Sequence, residues 1–180
     1  MKRRGHIEAK GEMYFSSAIR KIPDFAYLKR QFLNRMVRNE YDGLKVSFDF
    51  LTPQQKNAFF AQEGYDLLHY AISIAQDLKA LIFICNEISS EVLKTVLRIN
   101  NFSILTAFLS AQGIMEDYLG IDKIDRQCRI AKFNTLLQID TDGIVEFVSI
   151  ELDKPYMSSF IKDDLKIAMG VTTTNVPVYQ

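Results

Sequence analysis

The chain has 180 residues, 22 basic against 22 acidic side chains, 48% hydrophobic residues, two Cys and no Trp. A domain of this size buries roughly two-thirds or more of the surface its unfolded chain exposes, so it needs neither disulfides nor a structural metal to fold, and Cys85 and Cys128 read as core thiols. No apolar run approaches the roughly 20 residues that span a bilayer and no secretory leader pattern is present, so the expectation is one cytoplasmic domain over 1–170 with an extended tail at 171–180.

The neutral total hides an asymmetry: residues 1–38 carry ten Lys or Arg against three acids, and residues 39–180 carry twelve against nineteen. Within a basic helical segment at 14–38, Asp24 follows Pro23 as an N-terminal cap, and Phe25, Leu28, Phe32 and Met36 recur at helical spacing. Lys29, Arg30, Arg35 and Arg38 fall off that stripe and form a basic patch. The plainer expectation docks the stripe on the acidic body with the charges in water; the sharper one offers the patch to an acidic protein surface or an anionic lipid. Nucleic acid is the least favoured partner, since the sequence pI is 6.7 and no recognition motif accompanies the charges.

Asp42-Gly43 reads as a turn, and Leu44–Phe50 alternates in the manner of a short half-buried strand. Thr52-Pro53 then supplies a cap and a proline at the first helical position, opening a helix to about Gln62. Short capped helices follow: Asp66 before Leu67–Ile74, Asp77 before Leu78–Asn86, Ser90 before Glu91–Ile99 and Ser103 before Ile104–Ala111, with Gly113 setting off Ile114–Leu119. Helices of two or three turns are marginal alone, so the spacing predicts a stacked helical core over 52–120. In 134–169 the pattern predicts a β-hairpin, Thr135–Asp140 and Ile144–Leu152 around Asp140-Thr141-Asp142-Gly143. A helix capped by Ser158 or Ser159 then runs to Met169, with Gly170 as its stop.

The segment Glu63-Gly64-Tyr65-Asp66-Leu67-Leu68-His69-Tyr70-Ala71 resembles the opening of an ankyrin repeat, Gly-x-Thr-Pro-Leu-His-x-Ala, matching at Gly64, Leu68, His69 and Ala71. A weaker copy lies at Asn101–Leu119, displaced by 37 residues where regular arrays repeat at about 33, and a third match at Asn134–Gln138 followed by Gly143–Val148 competes with the hairpin, which is preferred there. The resemblance implies a scaffold that binds proteins through loop tips and the exposed face of the first helices. Carried over by position, it puts Tyr65 at a loop tip and Tyr70 and Ser73 on that face, with Ser103, Ala107 and Ser110 as the second repeat's counterparts. It makes His69 a structural residue and brings no chemistry.

Catalytic alternatives are thin. His6 and His69 are the only histidines; Cys85 lies within an apolar run, where a buried inert thiol is expected, and the two cysteines are 43 positions apart without metal-ligand spacing. Asp140-Thr141-Asp142-Gly143 fails the calcium-loop pattern because Ile144 takes a ligand position and the Gly comes two places early. No phosphate loop or nucleophile elbow is present. No catalytic residue, metal or cofactor is therefore assigned.

The fold class expected is mainly α, a stacked helix-turn-helix core with a small β-hairpin, and the function expected is a non-enzymatic protein-binding module of the adaptor, enzyme-inhibitor or bacterial-effector type, in the last case acting in a host cytosol. The alternative is an α+β enzyme with the segments 44–50, 135–140 and 144–152 in one sheet and acidic residues at its edge. A second alternative is a peripheral membrane protein using the basic helix 24–38. Homodimerisation through an exposed sheet edge stays open.

Overall fold

The computed structural model describes residues 24–118, 126–155 and 159–170. The segments 1–23, 119–125 and 171–180 and residue Ser158, which carry the start of the basic segment, the end of the weaker ankyrin-like copy, the tail and one proposed cap, lie outside the described residues. Among the described residues there are nine α-helices and no strand.

Helix α1, Phe25–Val37, opens where expected, the Tyr27 amide donating to Asp24 Oδ1 at 3.1 Å. Its stripe faces inward: Phe32 and Met36 are buried, and Phe25 meets Phe59 edge-on at 5.6 Å between ring centres. Each large apolar side chain removed from water in this way contributes about 1.5–3 kcal/mol. The face of α1 that would enter a membrane is thus already packed on protein.

Helix α2, Tyr41–Asp49, replaces the expected strand. The alternation misled because a spacing of four suits both periods: Leu44 and Phe48 share one face of a helix as well as one face of a strand. Val46 and Phe50 separate the cases, since a strand would bury them beside Leu44 and Phe48, whereas here they are 60% and 84% exposed. The rings of Phe32 and Phe48 lie 4.4 Å apart and those of Phe32 and Phe59 5.2 Å, joining α1 and α2 to the next helix.

Helix α3, Pro53–His69, is the central element, packing on α1 and on the two helices that follow it. Thr52 and Gln55 form a reciprocal cap, the Gln55 amide donating to Thr52 Oγ1 at 3.2 Å and the Thr52 amide to Gln55 Oε1 at 2.9 Å. The helix does not stop near Gln62, and Asp66 is one of its interior residues rather than the cap of a new helix. Gly64 is required there by close approach, because a Cβ would lie 2.5 Å from the Phe60 ring. The chain then widens into a π-helical turn, Tyr70–Ile74, closed by the Ala75 amide donating to the Tyr70 carbonyl at 2.9 Å.

Helices α4, Lys79–Glu87, and α5, Ser90–Leu97, fall where expected within a residue or two, although Ser90 is the first residue of α5 and not its cap, a position held by Ser89 without a side-chain hydrogen bond. The cap position of α4 is Leu78, without a side-chain hydrogen bond, rather than Asp77, which lies one residue earlier and accepts from the Lys79 amide at 2.9 Å. Helix α6, Ser103–Tyr118, runs through Gly113 without a break. Ser103 opens it, its hydroxyl donating back to the Ile99 carbonyl at 3.1 Å.

The predicted hairpin is instead helix α7, Arg126–Ile139, joined to helix α8, Thr141–Glu151. Asp140 is the cap of α8, accepting from the Gly143 amide at 3.3 Å. The buried set on α8 is Gly143, Ile144, Phe147, Val148 and Glu151, a helical stripe, while Val145 and Ile150 face outward. Burial of that stripe overrides the β-branched composition, which is a weak preference. With no sheet among the described residues, the α+β enzyme loses its scaffold and dimerisation through a sheet edge loses its edge. Helix α9, Ser159–Ala168, ends at Gly170 with φ of 71°, as expected. It packs on α6 and α7, and no helix among the described residues is long and apolar enough to cross a membrane.

Candidate functional site

The expected binding residues are spread over three elements. Tyr65 lies inside α3, with its hydroxyl 2.8 Å from Ser103 Oγ and its ring parallel to His69 at 6.5 Å, so it is not at a loop tip. The structure does bring Tyr65 and Ser103 together, but as a pair tying α3 to α6. Ala107 and Ser110 are half-buried along α6. Ser73 sits in the π-helical turn with its Oγ buried and without a hydrogen-bond partner among the described residues. Tyr70, the first residue of that turn, is half-buried; burial, followed by the charge of Asp77, raises its phenol above the usual value.

The basic patch divides in the same way. Lys29 bridges to Glu63 at 3.1 Å and Asp66 at 3.0 Å, pinning α1 to α3. Arg35 is half-buried over Gly43, where a Cβ would lie 2.8 Å from its NH1 atom. Arg30 and Arg38 are exposed and have no acidic partner among the described residues.

Between α1 and the end of α3 lies an open groove of about 490 Å³, lined by Leu33, Val37, Asp66, His69, Tyr70 and Ile74. Val37 and Ile74 are 56% and 53% exposed. Arg30 is three positions before Leu33 and seven before Val37, hence on the same face of α1, and Arg38 follows Val37 directly. The groove therefore presents an apolar floor with Asp66 in its lining; Arg30 lies on the α1 face that carries Leu33 and Val37, and Arg38 lies one position beyond Val37, neither with an acidic partner among the described residues. Sequence reasoning named Tyr70, Arg30 and Arg38, but missed Leu33, Val37 and Ile74, because their exposure depends on how α1 meets the π-helical turn.

A second cleft of about 290 Å³ lies between the α5–α6 turn and α8, with Arg98, Phe102, Phe147 and Glu151 in its walls. Asn100, Asn101 and Phe102 take φ of 50°, 53° and 58°, which for a phenylalanine costs on the order of 1–2 kcal/mol. Two of its charged groups are held internally: Arg98 holds Asp140 through two bonds of 2.6 and 2.8 Å, and Glu151 accepts from Lys154 at 2.5 Å. Glu146, exposed in the same lining, adds an acidic group, and the Arg98–Asp140 pair reads as the fastening of α8.

Burial pushes the Cys85 thiol up to about 11, leaving it protonated at neutral pH. Among the described residues no three His, Cys, Asp or Glu side chains gather closely enough to hold a metal ion. Lys132, fully buried on α7, donates to the carbonyls of Ile72 at 3.0 Å and Ala75 at 2.5 Å, and burial lowers it to about 8. Nothing in the sequence distinguishes Lys132 from a surface lysine except its place on the inward stripe with Arg129, Phe133 and Leu136.

No protein-family model, characterised protein or solved structure matches the chain.

Proposed function

We propose that the protein is a non-enzymatic binding module that seats an acidic segment of a partner protein, with one large apolar side chain of that segment in the groove between α1 and the π-helical turn. The observation that carries this reading is the groove itself: about 490 Å³ of apolar-floored space with Val37 and Ile74 more than half exposed at its edge. A few side chains in well-packed pockets dominate most protein interfaces, and a space of this size takes one or two of them. Arg30 and Arg38 supply the charge complement, steering an acidic partner and fixing its register. The ankyrin-like segment contributes through His69 and Tyr70, which line the groove. Such a module works as an adaptor, inhibitor or effector by surface complementarity alone.

The test is affinity capture from a native lysate by the wild type, Ile74→Asp and, as a control at another exposed apolar position, Val46→Asp. The reading expects a stoichiometric partner that is lost with Ile74→Asp, kept with Val46→Asp and weakened by high salt. A partner retained equally by all three would place the interface elsewhere and refute it.

A further inference from the structure

We propose that Lys132 is the positioning residue of the binding groove: reaching from α7, it latches the π-helical turn and so holds Tyr70 and Ile74 in the groove wall. The inference rests on the groove reading for its functional consequence, but the latch itself stands on geometry.

The last carbonyls of any helical turn have no partner within the helix. Here the chain leaves the turn at Ala75 with φ −60° and ψ 132°, ending the ladder abruptly. The carbonyls of Ile72 and Ala75 would be orphaned in a buried setting, and both are taken by Lys132 Nζ, which keeps two N–H donors even as the neutral amine, from 60 and 57 residues further along the chain. Ala71, Ile72 and Lys132 are each fully buried, so water does not substitute. The turn is also the segment with an alternative. Its i→i+5 pattern differs from an α-helix by one residue, and a one-residue change in register swings a side chain about 100° around the helix axis. Such a change would carry Tyr70 or Ile74 off the groove wall. Lys132 selects the arrangement in which both line it.

Titration gives the latch a signature. Burial lowers Lys132 to about 8 from 10.5, while Cys128 on the same helix and Asp77 beyond the turn favour its charged form. Asp77 also faces Tyr41 and Tyr70, whose phenols it helps to raise. An opening that frees Lys132 into water restores its ordinary affinity for a proton. The opened state therefore binds more protons than the latched one between pH 8 and 10.5, and the latch tightens as pH rises through that window.

The experiment uses the full chain, following the Ala75 amide, which donates to the Tyr70 carbonyl, by hydrogen exchange in the wild type and in Lys132→Met. Anilinonaphthalene sulfonate, an apolar anion, serves as the groove probe, read through the Ile74 methyl resonance. The latch predicts that the Ala75 protection factor rises about fivefold between pH 8 and 9 in the wild type. In Lys132→Met, which leaves both carbonyls without this donor, it is lower by at least about tenfold and indifferent to pH. Val96 and Leu97 of α5 serve as references whose protection does not follow this pattern. Wild-type protection at Ala75 that is flat from pH 8 to 9 would overturn the proposal, and this series needs no variant to fold. A pH-dependent Ala75 with a probe that leaves Ile74 unmoved would sustain the latch while sinking the groove as a binding site.

Discussion

Replacing Asp140 by Asn and by Ala separates two contributions at the junction of α7 and α8. Asp140 caps α8 through the Gly143 amide at 3.3 Å and holds Arg98 through bonds of 2.6 and 2.8 Å, its own side chain 1% exposed and that of Arg98 47%. Asn is as good a cap as Asp, so Asp140→Asn removes only the charge. Hydrogen bonds to charged groups contribute about 1.5–3 kcal/mol, and because the half-exposed Arg98 can rehydrate once orphaned, a cost of about 2 kcal/mol is expected. Asp140→Ala loses the cap as well, adding about 1 kcal/mol.

Urea unfolding at neutral pH, with equal slopes for the three proteins, measures both differences as midpoint shifts. The Arg98 guanidinium beside Asp140, with the Gly143 amide, holds its carboxyl below the usual value against the opposing effect of burial. A depressed carboxyl contributes stability that is present above its unfolded value and lost as pH falls through the folded one, so the gap between wild type and Asp140→Asn closes on acidification. If Asp140→Asn matched the wild type at neutral pH, or if the gap persisted unchanged in acid, the ion pair would not be what fastens α8.

Lys132 reverses the usual alkaline trend. Its folded value of about 8 lies below its unfolded 10.5, so the unfolded chain holds a proton the folded chain has released, and stability climbs by about 1 kcal/mol between pH 8 and 9. Above pH 9 Cys85, raised from 9.0 to about 11 by burial, pulls the other way, and a thermal or urea series in which Lys132→Met shows the same pH 8–9 slope as wild type would refute this. Gly64→Ala should destabilise by about 1–3 kcal/mol although alanine is the better helix former, because the new Cβ meets the fully buried Phe60 ring at 2.5 Å. Equal or greater melting temperature would show that the ring yields freely. Ser73→Ala removes a buried hydroxyl without a partner among the described residues, so denaturant unfolding should find the variant unchanged or about 1 kcal/mol more stable; a loss of that size would mean the hydroxyl is satisfied.

Local signals at helix ends were legible in the sequence. Asp24, Thr52-Pro53 and Gly170 each do at their position what their chemistry implies, because a cap or a stop is decided within four residues. What failed was the choice of period in short apolar runs. Leu44 and Phe48 fit helix and strand alike, and Ile144–Leu152 carries β-branched residues on a helical stripe; only burial against distant elements decides between them. The expected cap at Asp66 failed for a related reason, since Gly and Asp both favour turns, yet here Gly64 serves contact with Phe60 and Asp66 serves Lys29 inside one helix. The candidate site was half legible: Tyr70, Arg30 and Arg38 stand out by residue type, whereas Val37 and Ile74 look like core and Lys132 looks like surface until the tertiary structure is known.

The most direct test of the groove reading places the photo-crosslinking residue benzoylphenylalanine at position 74, in place of Ile74, and for comparison at position 46, in place of Val46, followed by sequencing of captured peptides from a native lysate. Both positions are exposed, at 53% and 60%, so access alone does not favour either. The account predicts a crosslink from position 74 alone, to a peptide carrying a large apolar residue among Asp and Glu, suppressed by excess unmodified protein and by high salt. Crosslinking from both positions to the same peptides, or capture at 74 of peptides without acidic character, would contradict it.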